Sequence, residues 1–202
     1  MRSFDIVMDV DDVLTRTNQC VVELYNAKHG TQMAIEDIQE WDLHKVEIPH
    51  TSIMEIFNIP GFFRDLPLMA GAQIVINRLL DDGHEIFIAT AIDSSGVADR
   101  AAFLREFFPR IKEENIMYIQ RKDRIACDIM LDDGLHNLAN TLAAYPVVFD
   151  RPWNQADGVN YKDLIRGKRT LGRVQNWEEF YVLVQCLAEQ EKYGETEFKQ
   201  SI

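Results

Sequence analysis

The chain has 202 residues and a mass of 23.4 kDa, which suits one large domain or a domain with an insertion but is short for two independent domains. Its 47% hydrophobic and 27% charged residues are ordinary globular usage and exclude a collagenous, disordered or transmembrane chain. The net charge of -12 repels polynucleotides and anionic membranes, so we expect neither as a partner. A small phosphorylated molecule can still bind where cations or a metal ion reverse the local sign.

The cysteines are three in number and far apart, so they give no readable disulfide framework or CxxC metal site. Aspartates interrupt the apolar residues at the N-terminus, which a signal-peptide core does not tolerate. No apolar run approaches the length of a membrane span. We therefore expect a cytoplasmic protein.

The first predicted element is a buried strand over residues 4–10, which runs into an acidic turn at 9–12. A helix follows, with Thr17 or Asn18 as its N-cap and Gly30 as its stop signal. The strand therefore delivers several carboxylates to one end of the predicted sheet.

The next segment, up to residue 70, is less regular, with aromatic residues scattered between prolines and glycines. We interpret it as part of an insertion. Residues 17–70 are assigned to a small, mainly helical cap inserted after the first strand, and residues 1–16 and 71–202 to an α/β core.

Beyond the insertion, predicted helices and strands alternate. The pattern predicts helices over 72–80, 97–108, 135–144 and 177–190, and strands over 84–90, 116–119, 128–131 and 147–150. Alternation of this kind implies a parallel sheet with helices on both faces. In open sheets of this class, ligands bind beyond the carboxyl ends of the strands.

Polar residues follow the ends of four predicted strands and should converge on one edge of the sheet. They are Asp9 and Asp11 after the first strand, Thr90 after the second, Lys122 after the third, and Asp132 with Asp133 after the fourth. Taken singly, each has an ordinary structural explanation, because acidic loops and charged surface residues are common. Their joint order is what phosphoryl transfer through an aspartyl phosphate needs.

Two of these aspartates are candidates for the chemical steps. Asp9 is the candidate nucleophile. Asp11 can protonate the leaving oxygen and then deprotonate the water that cleaves the aspartyl phosphate.

The remaining groups suit a metal ion and the phosphate. Mg²⁺ would offset the repulsion between the attacking carboxylate and the phosphate dianion. Its oxygen ligands can come from Asp9, from a backbone carbonyl of the loop, and from Asp132 and Asp133. The hydroxyl of Thr90, neighbouring backbone N–H groups and the ammonium of Lys122 can bind the other phosphate oxygens.

Four motifs carry this constellation: DVDDV at 9–13, IFIAT at 86–90, Lys122 and IMLDD at 129–133. In this order they resemble the haloacid dehalogenase-like hydrolase superfamily, whose members share a Rossmann-like core and mostly hydrolyse phosphate esters. Further matches are PGFFRDLPLMAGA at 60–72, IATA at 88–91, the ten-residue interval from Lys122 to Asp132, and VVFDRPWNQ at 147–155. Over about residues 5–155, the chain is thereby similar to the 5'(3')-deoxyribonucleotidase family.

This resemblance implies a Mg²⁺-dependent phosphomonoesterase that acts on a deoxyribonucleoside monophosphate. It implies Asp9 and Asp11 as catalytic residues, Thr90, Ala91 and Lys122 as phosphate ligands, and Asp9, Asp11, Asp132 and Asp133 around the metal. An acid at position 11 argues against a dehalogenase, which has no alkoxide leaving group to protonate.

Two positions depart from the family pattern. Asp12 stands where members often carry Gly, and Thr17 where they often carry an aromatic residue. Base recognition then falls to other aromatic residues of the cap. Trp41 is the first stacking candidate, and Phe62 is a second one for which hydrophobic packing is the stronger expectation. For the DRPWN segment at 150–154 we predict only a structural turn near the site.

Two other interpretations stay open. A phosphatase of a sugar phosphate or another small metabolite would keep the same core chemistry with a different cap. A phospho-receiver signalling domain also combines acids, Thr and Lys around Mg²⁺, but its lysine comes last, whereas here Asp132 and Asp133 follow Lys122. The base, the 5' or 3' position of the phosphate and the formation of a homodimer are left open by the sequence.

Overall fold

The computed structural model describes residues 2–41, 43, 53–155 and 171–199. Its strands are β1 Asp5–Met8, β2 Glu85–Thr90, β3 Ile116–Tyr118, β4 Ile129–Asp132, β5 Tyr145–Phe149 and β6 Gly172–Val174. Its α-helices are α1 Thr17–His29, α2 Ala72–Asp81, α3 Val97–Phe107, α4 Leu135–Leu138 and α5 Trp177–Lys199. Within this part of the chain, no helix is long and apolar enough to cross a bilayer.

The strands form a six-stranded sheet in the order β3-β2-β1-β4-β5-β6, and every pairing is parallel. Side chains alternate between its faces. Ile6 and Met8 pack with α2, α3 and α5 on one face, whereas Val7 packs with Leu138 of α4 on the other. This arrangement confirms the predicted α/β class with a Rossmann-like sheet and helices on both faces.

Most predicted elements are confirmed within one or two residues at each end, and the glycine signals explain two of the boundaries. After α1, Gly30 takes a left-handed conformation with φ 67°, and its N–H donates to the carbonyl of Asn26. Gly83, with φ 88°, ends the turn between α2 and β2. Glycine adopts this region without the steric cost of a Cβ atom.

Three later elements differ from the prediction. α4 ends at Leu138 rather than near residue 144, because the N–H of Ala144 already donates to the carbonyl of Cys127 and the chain must extend to enter β5. β6 was not predicted, since a strand of three residues is too short to show a periodic pattern. α5 continues to Lys199, well past its predicted end at 190.

The segment assigned to the cap leaves and rejoins the rest of the chain at one point. The N–H of Arg16 donates to the carbonyl of Pro67, and the N–H of Met69 donates to the carbonyl of Leu14. Between these contacts lie α1 and short 3-10 helices at 35–37 and 53–58. Apolar side chains of this segment join the same continuous core as the sheet. The boundaries of a separate cap at 17–70 stay a prediction.

Candidate active site

Three carboxylates meet at the carboxyl edge of the sheet. Asp9 follows β1, Asp132 ends β4 and Asp133 comes next. All three are buried, and each offers an oxygen within 4.8 Å of the others. The parallel pairing of β1 with β4 brings these distant parts of the sequence together. Three hard oxygen donors in one buried cluster fit the coordination preference of Mg²⁺.

Lys122 lies between two of these carboxylates, on a 3-10 turn after β3. Its Nζ is 2.6 Å from Oδ1 of Asp9 and 3.1 Å from Oδ2 of Asp132. Burial by itself lowers the pKa of Lys122, but the carboxylates of Asp132 and Asp9 outweigh burial and hold that pKa above its usual value. The side chain is therefore a buried ammonium ion.

Burial also dominates the acids of the cluster. Burial is the largest cause that raises the pKa of Asp9, Lys122 opposes it, and Asp132 and Asp11 add to the rise, so that this pKa lies at about 7. Burial and the neighbouring Asp132 raise the pKa of Asp133 as well. Since low polarity and mutual repulsion both penalise the ionised forms, one ammonium ion does not balance the cluster. Such a site gains from additional positive charge.

Thr90 ends β2, the other neighbour of β1 in the sheet. Its hydroxyl is buried and has no hydrogen-bond partner among the described residues. A buried hydroxyl left unpaired costs about 1–3 kcal/mol, so a ligand oxygen at this position would remove a penalty. Ala91, the next residue, is exposed.

Asp11 lies apart from the three-carboxylate cluster and has different partners. Both of its carboxylate oxygens accept hydrogen bonds from Nη2 of Arg100, at 2.6 and 2.7 Å. The hydroxyl of Thr17 also donates to Oδ1 of Asp11 at 2.7 Å. The carboxylate is therefore held at the junction of the first loop, α1 and α3. A role for Asp11 as a metal ligand stays a prediction.

Arg100 is the main residue of this region that sequence reasoning missed. Its side chain is fully buried on α3, and its Nε and Nη1 atoms have no hydrogen-bond partner within the described part of the chain. Its guanidinium also lies over the ring of Phe63, with 5.1 Å between Cζ and the centroid. The signal was present, because Arg100 shares the helical stripe of Phe103 and Leu104. A charge on an apolar stripe requires a buried partner.

Asp12 supports the first loop instead of contributing to the cluster. It adopts a left-handed conformation with φ 57°, and its carboxylate accepts the N–H of Asn18 in the first turn of α1. Because α1 begins at Thr17, its N-cap residue is Arg16 and not the predicted Thr17 or Asn18. The side chain of Arg16 makes no capping hydrogen bond. The carbonyl of Asp12 accepts a hydrogen bond from Nε of Arg151 at 2.7 Å.

Replacing Asp12 with asparagine is expected to change how stability depends on pH. Burial raises the pKa of Asp12 from 3.8 to about 8, against the opposing hydrogen bond from Asn18. Between these values the folded state keeps a proton that the unfolded state releases, so the free energy of unfolding of the wild type falls as pH rises towards 8. Asparagine can still accept the hydrogen bond from the N–H of Asn18 and tolerates the left-handed backbone. Asp12→Asn should therefore be more stable than the wild type across this pH range.

Urea unfolding of both proteins in EDTA, at several pH values, measures this difference. Asp12→Ala is the control, since it loses the cap as well as the charge and should cost about 1–2 kcal/mol at acidic pH. If the free energies of unfolding of the wild type and Asp12→Asn changed with pH in parallel, the raised pKa of a buried carboxyl at this position would be contradicted.

The two candidate substrate contacts lie in different surroundings. Trp41 is 52% exposed, and its ring centroid is 4.1 Å from that of His136. His136 follows the Asp132-Asp133 pair closely in the sequence. Phe62 is buried and packs edge-on against Phe57 and Phe63. Trp41 is thus available for stacking beside the site, and the packing of Phe62 explains its presence without a ligand. The binding roles of both residues stay predictions.

Comparison with known proteins decides the family. A family model described as "5' nucleotidase, deoxy (Pyrimidine), cytosolic type C protein" matches residues 2–190. The chain belongs to this family. It is therefore a nucleotidase, an enzyme that hydrolyses phosphoric monoesters. The family resemblance expected from the motifs is confirmed, and the phospho-receiver interpretation is wrong.

Relatives of this nucleotidase include a 5'(3')-deoxyribonucleotidase of Bacillus subtilis, 28% identical over 176 residues, which are 86% of this chain and 94% of the relative. A putative 5'(3')-deoxyribonucleotidase of Staphylococcus epidermidis is 31% identical over 132 residues, which are 64% of this chain and 73% of the relative. The alignment to the Bacillus protein thus spans nearly the whole of both chains.

Solved structures confirm the fold of the nucleotidase. A haloacid dehalogenase-like protein from Agrobacterium tumefaciens superposes with a TM-score of 0.57 at 11% identity, covering 93% of this chain and all of the other. A hydrolase of the same fold from Deinococcus radiodurans, with bound phosphate and sodium, superposes with a TM-score of 0.57 at 15% identity. The superposition covers 92% of this chain and 95% of the other. A Bacillus subtilis protein bound to magnesium superposes with a TM-score of 0.55 at 15% identity, and the superposition covers 91% of this chain and 99% of the other.

Proposed function

We propose that this nucleotidase is a Mg²⁺-dependent 5'(3')-deoxyribonucleotidase that works through an aspartyl phosphate on Asp9. The observation that carries the proposal is the buried cluster of Asp9, Asp132 and Asp133 with Lys122 among them and the unpaired hydroxyl of Thr90 one strand away. The names of the bacterial relatives support the deoxyribonucleotide as substrate.

Asp9 is suited to be the nucleophile because its carboxylate is held in one orientation. Its Oδ1 accepts hydrogen bonds from the N–H of Val10 at 2.6 Å and from Nζ of Lys122 at 2.6 Å. One of the carboxylate oxygens attacks phosphorus, and the bond from phosphorus to the ester oxygen breaks. When bound by Asp9, Asp132 and Asp133, Mg²⁺ supplies the positive charge that offsets the repulsion between carboxylate and phosphate.

Asp11 moves the protons of both half-reactions. It donates a proton to the leaving nucleoside oxygen in the first, and it takes a proton from the attacking water in the second, which releases inorganic phosphate and restores Asp9. Lys122 and the hydroxyl of Thr90 bind the phosphate oxygens that do not take part in bond breaking. The backbone N–H of Ala91, which follows Thr90, is a further donor in this scheme.

A phosphatase panel tests the proposed function. Deoxyribo- and ribonucleoside 5'- and 3'-monophosphates and a set of sugar phosphates are assayed for phosphate release, with Mg²⁺ and with EDTA. We expect release from deoxyribonucleoside monophosphates, loss of activity in EDTA and recovery when Mg²⁺ is added back. Release from sugar phosphates alone would favour a metabolite phosphatase, and activity indifferent to EDTA would overturn the metal site.

The cap over residues 17–70 and the cytoplasmic location are further predictions of the sequence, which leaves the oligomeric state open. Size-exclusion chromatography with light scattering distinguishes a monomer from a homodimer, and the same preparations serve for the phosphatase panel.

A further inference from the structure

The turn after β5, at Pro152–Asn154, lies directly against the carboxylate cluster. Trp153 is only 6% exposed, and its indole Nε1 donates to Oδ2 of Asp133 at 2.6 Å. Nδ2 of Asn154 donates to the carbonyl of Asp133 at 3.0 Å and to the carbonyl of Phe149 at 2.8 Å. The turn thus fixes both the backbone and the side chain of Asp133.

The two neighbouring aspartates are held in different ways. Both oxygens of Asp132 accept hydrogen bonds, from Gly134 and Asn137 and, at Oδ2, from Lys122. The Asp133 carboxylate accepts one only, from Trp153 at Oδ2, among the described residues. Its Oδ1 therefore has no protein donor in that part of the chain and is open to a cation.

An indole suits this task for two reasons. It has one donor and no acceptor, so it engages one carboxylate oxygen and leaves the other uncovered. It also carries no charge, so it orients the carboxylate without competing with a cation as Lys or Arg would. Buried as it is, the ring has little freedom to turn away.

We propose, resting on the Mg²⁺ site proposed above, that Trp153 is a positioning residue whose indole N–H holds Oδ2 of Asp133 and presents Oδ1 to the metal. It does not touch the substrate or the reacting atoms. Its effect is on metal affinity, because a carboxylate free to rotate must be ordered when the cation binds.

Trp153→Phe tests this role, because it removes the N–H and keeps a large aromatic ring. Calorimetric titration of the metal-free protein with MgCl₂ should show a dissociation constant raised by about 10- to 100-fold, the usual effect of losing a partner of a metal ligand. In assays, the Mg²⁺ concentration for half-maximal rate should rise by the same factor, while kcat at saturating Mg²⁺ stays close to that of the wild type. A purely structural defect would lower kcat at every Mg²⁺ concentration.

Trp177→Phe is the matched control. Trp177 is also buried, and its indole N–H donates to a backbone carbonyl, that of Val13 at 3.1 Å, and not to a carboxylate. Its replacement should lower the melting temperature and leave the Mg²⁺ dissociation constant unchanged. Trp153→His, which keeps a ring N–H, is a second variant and should recover part of the affinity lost in Trp153→Phe.

The outcomes distinguish a failure of the role of Trp153 from a failure of the proposed metal site. Wild-type Mg²⁺ affinity in folded Trp153→Phe would overturn the role of Trp153 and leave the proposed function standing. The same increase in dissociation constant in Trp177→Phe would also overturn it, since any buried indole would then matter equally. Failure of the wild type itself to bind Mg²⁺ would overturn both the metal site and the role of Trp153.

Discussion

Replacing Asp9 with asparagine is expected to lower phosphate release by more than about 10⁴-fold, because an amide cannot serve as the attacking nucleophile. The wild type, quenched in acid during turnover, should carry one covalent phosphoryl group in intact-mass measurements, and Asp9→Asn should carry none. The fold should survive, since the pKa of Asp9, raised by burial to about 7, shows that its charge is costly where it lies.

Asp81→Asn is the matched control for this result. Asp81 begins an Asp-Asp-Gly tripeptide identical to the one at 132–134, but it lies at the end of α2, pairs with Arg110 and is 66% exposed. It should keep full activity and full labelling. Robust hydrolysis by Asp9→Asn would refute the covalent scheme.

Replacing Asp11 with asparagine is expected to damage catalysis and stability together. Turnover should fall by about 10²- to 10⁴-fold, because both half-reactions lose their proton carrier. The free energy of unfolding should fall by about 3 kcal/mol, because the fully buried Arg100 loses its counter-charge. We place the cost at the lower end for a broken buried pair, since the Asp11 side chain is 28% exposed and asparagine keeps an acceptor.

A double-mutant cycle with Arg100→Met separates the two effects. Methionine is apolar and suits the surroundings of Phe63 and Phe103, so the double variant should regain most of the lost stability in urea unfolding. It should stay as inactive as Asp11→Asn. Recovery of turnover together with stability would show that Asp11 serves the fold alone. A loss of stability in the double variant equal to the sum of the losses in the two single variants would show that the two charges are not coupled.

Most of the fold could be predicted because its signals are local. Apolar periodicity identifies α1, α2 and α3, and glycines mark the ends of α1 and α2. Both signals come from residues that lie within a helical turn of one another. The predictions for α4 and β6 are wrong because pairing with another strand determines the conformation there. The chain leaves the helical path after Leu138 because residue 144 is already paired beside β4, and β6 exists only as an added edge of β5.

The sequence by itself determined the chemistry available at the site. Asp9, Thr90, Lys122 and Asp132 each end or follow a strand, and the carboxyl ends of parallel strands lie at one edge of a sheet. Their convergence therefore follows from the order of the elements, without knowledge of any side-chain contact.

Only the tertiary structure decided which groups hold these residues in place. Arg100 reaches Asp11 across 89 residues of sequence because α3 packs on the sheet with its apolar stripe inward. Trp153 reaches Asp133 because β5 lies beside β4 and ends in a turn at the same edge. Such contacts depend on how helices and turns pack on the sheet. Packing brings together residues that are far apart in sequence, and no periodic pattern in the sequence links them.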